Sequence, residues 1–498
     1  MLAETKRKRI GEVYEVSKPY AYAIISLDLL TNQYWYEVIE PILTDEEKEY
    51  IKSIREHLFE MLDVTLQDLG TEEEIIKYLK AKILEVIKHF KIPVNHTNLD
   101  KINYYLIRDL IGYGKIDVMM KDPMIEDISC NGKGLPIYIW HRLYESIPSN
   151  VIFETDEELD SFIIRLAYRS GRMISMAKPM LDASLPDGSR IQLTLGTHVT
   201  KHGSTFTIRK FKADPITIVD LINFNTITSD IAALLWYIIE NRYGVFVCGG
   251  VASGKTTMLN ALSSFIRPDY KIITIEDTPE IQLYHKNWLR SVTRPSAGAA
   301  TAEIGLFDLL KAAVRQRPDY IIVGEIRGEE AYTLFQAMAT GHLGMATMHA
   351  ESVSSAIHRL ENPPMNIPRT LLSHLNLITV QARIEREGRP ARRTLTVTEI
   401  IGIDPTTNEI LTNEIFRYDP KTDTYRYSGR CYTLESLIRR YAIPPQEAKR
   451  QIQMRKELLD WLAKTGKRSF KEVTEYIRNF IVSPDEVYRM VQLSYPSF

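Results

Sequence analysis

The sequence predicts an α/β protein. Its core is a mostly parallel, doubly wound sheet, preceded by an α+β domain and an N-terminal adaptor region and followed by a mainly helical tail. Three observations carry that expectation. Residues Gly249 to Thr256 read GGVASGKT and match the phosphate-cradling pattern G-x-x-x-x-G-K-[ST]. They stand between a strand-like run, Tyr243 to Cys248, and a helical pattern with apolar Met258, Leu259, Leu262 and Ile266 that stops at Pro268. From about Ile218 to Ile400, apolar strand-like runs alternate with helical periodicity, as expected of parallel strands joined by crossover helices.

In chain order, residues 1–98 alternate short apolar runs with acidic helical stretches and carry no catalytic constellation, so they read as an adaptor. Within them Thr44-Asp45-Glu46-Glu47 opens one helix with a capping signal, and a second helix is expected from about Glu72 to Phe90. Residues 99–211 read as the α+β domain. Ile125 to Cys130, Pro136 to His141 and Val151 to Phe153 are strand-like, separated by Asn131-Gly132 and similar turns. Thr155 to Glu158 forms a capping box, Leu159, Phe162, Ile163 and Leu166 share a helix face, and Gly171 ends that helix. Ser189 to Leu195 and Ser204 to Arg209 are two further strands. Lys212-Ala213-Asp214-Pro215 breaks the pattern and marks a linker, 212–217. The core follows over 218–403. The tail, 404–498, carries helix-start signals at Ser469 with Glu472 and at Ser483-Pro484 with Glu486.

Composition narrows the class. The 498 residues suffice for about three domains, and 44% hydrophobic with 25% charged residues is ordinary for a globular protein. A net charge of −2 provides no global field to recruit nucleic acid. The basic run Lys6-Arg7-Lys8-Arg9 reads as a solvated tail. Cys130, Cys248 and Cys431 are too far apart to suggest a zinc site or a disulfide framework, and Cys248 reads as core. The longest apolar run, Ile231 to Ile239, stops at Glu240, which suits a buried helix and is too short for a membrane span. With no N-terminal signal pattern visible, the expected location is the cytoplasm.

The chemistry starts at the glycine loop. Its glycines let the backbone of Gly249, Gly250, Val251, Ala252, Ser253 and Gly254 curl, so that amide groups face one concavity at a helix N-terminus suited to nucleotide phosphates. Lys255 would reach the β- and γ-phosphates and Thr256 would bind Mg²⁺, with Thr257 beside them, so ATP and Mg²⁺ are the expected ligands. Hydrolysis also needs carboxylates. Two apolar runs deliver them: Ile272 to Ile275 leads into Glu276-Asp277-Thr278-Pro279-Glu280, and Tyr320 to Val323 leads into Gly324-Glu325. In an open α/β sheet both groups fall at the strand ends where a ligand binds.

Four motifs in order now resemble the type II/IV secretion ATPase superfamily, the GspE-like group that also holds type IV pilus and archaellum motors. They are the P-loop; Ile275 to Glu280, which resembles the family's Asp box; Arg317 to Arg327, which resembles Walker B ending in Gly-Glu; and Thr340 to Ala350, which resembles its His box. Upstream, Ile125-Glu126-Asp127-Ile128 with Asn131-Gly132, Leu185 to Arg190 and Thr207 to Phe211 are similar to the family's second N-terminal domain, in wording nearest to archaeal members. The resemblance covers roughly Leu99 to Ile400.

The resemblance implies a RecA-like ATPase core and a PAS-like α+β domain. It implies that Glu276 orients the attacking water and Glu325 orders the Mg²⁺ shell. It also implies that His342 and His349 sense the γ-phosphate or link it to a subunit contact, and that Arg190 and Arg209 act as arginine fingers, with Arg294 and Arg327 as weaker candidates. The implied partners are further copies of the chain in a homo-hexamer, a polytopic membrane platform protein and, indirectly, a pilin-like or secreted substrate. The implied location is the cytoplasmic face of a membrane. The implied work is assembly of a pilus-like filament or protein secretion. Alternatives are an archaellum motor and a nucleic-acid or conjugation-type DNA translocase. Near-neutral charge and the lack of a recognisable nucleic-acid motif argue against the translocase, and no nucleic acid is expected as partner.

Overall fold

The computed structural model describes residues 7–9, 13–61, 70–211, 215–294, 303–386 and 389–494. Lys6 of the basic run and residues 212–214 of the linker lie outside that set. The chain divides into two units, Met1–Lys212 and Ala213–Phe498.

The first unit begins with strands β1 (Arg7–Arg9), β2 (Tyr14–Ser17), β3 (Ala21–Asp28) and β4 (Gln33–Ile39). Helices α1 (Asp45–Met61), α2 (Glu72–His89), α3 (His96–Leu110) and α4 (Asp117–Lys121) follow. The start of α1 is set by reciprocal bonds. The Thr44 hydroxyl accepts from the Glu47 amide at 3.2 Å, and Glu47 accepts from the Thr44 amide at 2.8 Å. Thr71 with Glu74 opens α2 in the same way. Ile54, Leu58, Leu79, Ile83 and Leu106 give α1 to α3 a small core of their own.

The chain then forms β5 (Ile125–Cys130), β6 (Pro136–His141), β7 (Glu145–Ile152), α5 (Asp156–Arg169), β8 (Met180–Ser184), β9 (Arg190–Thr194) and β10 (Thr205–Arg209). Thr155 caps α5, and the expected face of Leu159, Phe162, Ile163 and Leu166 is buried against the sheet. The strands run β1-β3-β4-β7-β6-β5-β10-β9-β8, with β2 beside β3. The N-terminal strands therefore share a sheet with residues 125–209, through a parallel pairing of Tyr36 with Ser149. The sequence boundary drawn at 98/99 crosses this sheet. Partners so far apart in the chain leave no local signature.

The second unit opens with α6 (Ile218–Asn223) and α7 (Ser229–Glu240), then β11 (Val245–Gly249), α8 (Lys255–Ser263), β12 (Ile272–Glu276) and β13 (Trp288–Val292). Next come α9 (Leu306–Val314), β14 (Tyr320–Val323), α10 (Glu330–Ala339), β15 (Leu343–Met348), α11 (Val353–Glu361) and α12 (Arg369–Leu372). It closes with β16 (Leu377–Arg386), β17 (Arg389–Ile403), β18 (Ile410–Asp419), β19 (Thr424–Tyr427) and helices α13 (Tyr432–Arg440), α14 (Pro445–Lys464), α15 (Phe470–Val482) and α16 (Pro484–Ser494).

The sheet order is β13-β12-β14-β15-β11-β16-β17-β18-β19, parallel from β13 to β16 and antiparallel beyond. This is the α/β class expected from the alternating pattern. Parallel strands covered on both faces read as continuous apolar runs, and VFVCG, IITIE and YIIV are buried throughout. Val245 and Val247 face one core cluster, Phe246 and Cys248 the other.

The tail starts with β18 and β19, at the half-exposed antiparallel edge, and continues with helices α13 to α16. Its helices complete one core face. Phe480 of α15 meets Trp236 of α7 edge-on at 5.2 Å, and Trp236 stacks on Phe265 at 5.1 Å. Arg455 of α14 is buried there and pairs with Glu240 at 2.7 Å, so its charge is matched on leaving water.

Candidate nucleotide site

Because β11, β12, β14 and β15 are mutually parallel, their carboxyl ends open on one edge of the sheet. The glycine loop leaves β11 there and turns into α8. Its left-handed positions are Ala252 (φ 57°) and Gly254 (φ 88°). Gly249 has a packing reason: a Cβ would lie 2.4 Å from the Gln381 carbonyl of neighbouring β16. Gly254 is the N-cap of α8 and offers no side-chain hydrogen bond, so the first amides of that helix have no side-chain acceptor. An uncapped helix start behind a glycine cradle fits a phosphate.

Lys255, the first residue of α8, curls back so that Nζ donates to the Gly250 carbonyl at 2.7 Å. The same Nζ stands 3.4 Å from Nδ1 of His349, which follows β15. His349 Nε2 is 3.3 Å from Oε1 of Glu325, just beyond β14. The three side chains form a link from the loop to the strand ends. Burial, then the Lys255 charge, hold His349 below the usual imidazole range. Burial likewise lowers Lys255, opposed by the nearby carboxylates of Glu325 and Glu280.

Glu276 closes β12 and is 2% exposed. Its Oε1 accepts the amides of Glu280 and Ile281, each at 2.8 Å. Its Oε2 has no hydrogen-bond partner among the described residues and lies 3.7 Å from Arg290 Nε. Burial pushes its pKa up to about 7, against those amides and Arg290. The residue before Glu325 is glycine for a reason: a Cβ on Gly324 would stand 3.1 Å from Glu276 Cγ. The two acidic positions are therefore neighbours.

Among the described residues no cluster of three or more His, Cys, Asp and Glu side chains could hold a metal. The sparse oxygen donors here, the Thr256 hydroxyl and Glu325, suit Mg²⁺, which is bound through one or two carboxylates plus substrate phosphates and water.

His342 precedes β15 and His349 follows it, so roughly 20 Å of extended strand separates them. His342 Nδ1 sits 3.3 Å from the Ala337 carbonyl at the end of α10. Arg327 pairs with Asp277, and the backbone of Arg294 bridges that of Ile304. In the first unit Arg190 of β9 is registered directly opposite Arg209 of β10, and both are exposed. Asp127 of β5 is opposite Arg209 on its other side.

Three residues at the cradle are absent from the sequence-based set. Arg392 of β17 donates from Nε to the Ala252 carbonyl at 3.1 Å. Glu351 Oε1 would lie 3.5 Å from a Cβ on Gly250. Glu280 lies near enough for its charge to act on Lys255. Only Glu280 had a signal, its place in the acidic run after β12. Arg392 reaches the loop because β16 pairs with β11 and turns back through β17.

A model for the family described as type II/IV secretion system protein matches residues 115–489. The chain is 37% identical over 447 residues to an uncharacterized protein of Methanocaldococcus jannaschii, covering 85% of this chain and 81% of that one. It is 33% identical over 234 residues to the conjugal transfer protein TrbB of Rhizobium radiobacter, covering 46% of this chain and 68% of that one. Among solved structures, the pilus retraction motor PilT with bound ADP aligns at 21% identity over 56% of this chain and 80% of that one, with a TM-score of 0.42. With the family model spanning most of the chain, the protein belongs to the type II/IV secretion system protein family.

Proposed function

We propose that this chain is a Mg²⁺-dependent ATPase that works as a homo-hexameric motor. In this reading it acts on a membrane platform protein to assemble a pilus-like filament or to secrete protein. The observation that carries the reading is the Lys255–His349–Glu325 link at the strand ends, with buried Glu276 beside it. The loop amides and Lys255 bind the phosphates, and Lys255 exchanges its loop carbonyl for phosphate oxygen. Thr256 and Glu325 would hold Mg²⁺, which would supply positive charge to offset that of the phosphates. Glu276, once ionised, accepts a hydrogen bond from the attacking water and orients it. His349 reports the state of the γ-phosphate position to the end of β15. Arg190 and Arg209 stabilise negative charge on the transferred phosphoryl group, and His342 serves a contact away from the phosphates.

The test is steady-state hydrolysis by the purified full chain, with native mass measured alongside. Mg²⁺-dependent turnover that Lys255→Ala abolishes is the expected result. Turnover indifferent to that substitution would overturn the reading. Stimulation by DNA, with none by a membrane platform protein, would replace it with a translocase of the kind that conjugal-transfer relatives suggest.

A further inference from the structure

Two turns at one end of the first unit's sheet expose leucines. The β3–β4 turn presents Leu29 (55% exposed) and Leu30 (76%), and the β6–β7 turn presents Leu143 (61%). These turns are neighbours because β4 and β7 run parallel and each follows its turn directly. Tyr34 and Tyr144 join them, with ring centroids 4.9 Å apart. The leucines are held outward. The buried Asp28 carboxylate accepts the amides of Leu30 (2.9 Å) and Thr31 (3.3 Å), which fixes the turn.

A basic strand runs into the same tip. β1, with sequence Arg-Lys-Arg, pairs with the end of β3 so that Arg7 is opposite Asp28 and Lys8, which is exposed, opposite Leu27. The run read from sequence as a solvated tail is thus laid, over residues 7–9, alongside the exposed leucines. Exposed leucines backed by tyrosines favour the acyl boundary of a bilayer, where an aromatic ring has one apolar and one wet side. The exposed Lys8 beside them favours anionic headgroups. A nucleic acid would have no use for the leucines. We propose that this tip, Leu29, Leu30 and Leu143 beside strand β1, docks on an anionic lipid surface. The surface is distinct from the nucleotide site and stands whether or not the ATPase reading holds.

The experiment is sedimentation of the full chain with vesicles of phosphatidylcholine alone or mixed in equal parts with phosphatidylglycerol. Binding is expected with the mixed vesicles only, weakening as salt is raised. Lys8→Glu should weaken it about fivefold or more, and Leu29→Ser with Leu30→Ser and Leu143→Ser about tenfold or more. The melting temperature and ATP hydrolysis in the absence of vesicles should be unchanged by either. If the triple variant does not fold, Leu30→Ser alone, at the most exposed of the three positions, replaces it. No binding to mixed vesicles, binding indifferent to both changes, or a changed native mass in the leucine variant would overturn the proposal, the last by assigning the tip to a protein contact. Hydrolysis measured on the same samples separates failure of this surface from failure of the ATPase reading.

Discussion

At the carboxyl edge of the parallel sheet, Lys255, His349 and Glu325 are linked within 3.4 Å of one another, and Glu276 is buried beside them. At the β9–β10 pairing, Arg190 is set opposite Arg209, cation against cation, with both residues exposed. The first region sets a cation, an imidazole and a carboxylate in line. The second places like charges directly across a strand pair, an arrangement that costs stability where side chains meet. One region thus brings opposite charges together, and the other sets like charges across a strand pair.

The comparison breaks first at Lys255. Lys255→Ala should lower ATP turnover by about a thousandfold or more and also weaken nucleotide binding, because the group that meets the phosphates is gone. Measurement of turnover together with nucleotide affinity checks both halves. Arg190→Ala and Arg209→Ala should each lower turnover by about a hundredfold while leaving the affinity for ATP within about threefold. Both positions are exposed, so the melting temperature should hold. A parallel loss of binding and of melting temperature would show that the pair is structural.

The third prediction concerns Glu276. Its folded-state pKa of about 7 lies above the ordinary carboxyl value. Its protonated form therefore favours folding at low pH, and that contribution is lost as pH rises towards about 7. Glu276→Gln does not titrate and can still accept the two amides. In the nucleotide-free chain its stability relative to the unsubstituted protein should grow by about 2 kcal/mol between about pH 5 and about pH 8. Denaturant midpoints across that range test it, and a constant difference would mean that Glu276 is already ionised at low pH. The smallest effect is expected at Arg392, whose hydrogen bond to Ala252 steadies the loop from outside. Arg392→Ala should cost about 1 kcal/mol and weaken nucleotide binding severalfold, read by titration calorimetry.

What the sequence determined by itself is local. The glycine loop with its flanking strand and helix, the capped starts of α1 and α2, the apolar face of α5 and the all-apolar parallel strands depend on neighbours within one turn or one strand, and short-range patterns record them. Glu276 and Glu325 could be placed at strand ends because each closes such a run. Only the tertiary structure decided the rest. The Lys255–His349 link joins residues 94 positions apart, and Arg392 reaches Ala252 across 140. The insertion of residues 7–39 into the first sheet hangs on the pairing of Tyr36 with Ser149. Each of these is set by strand order and register, and register arises from packing of whole faces, which no local run of residues encodes.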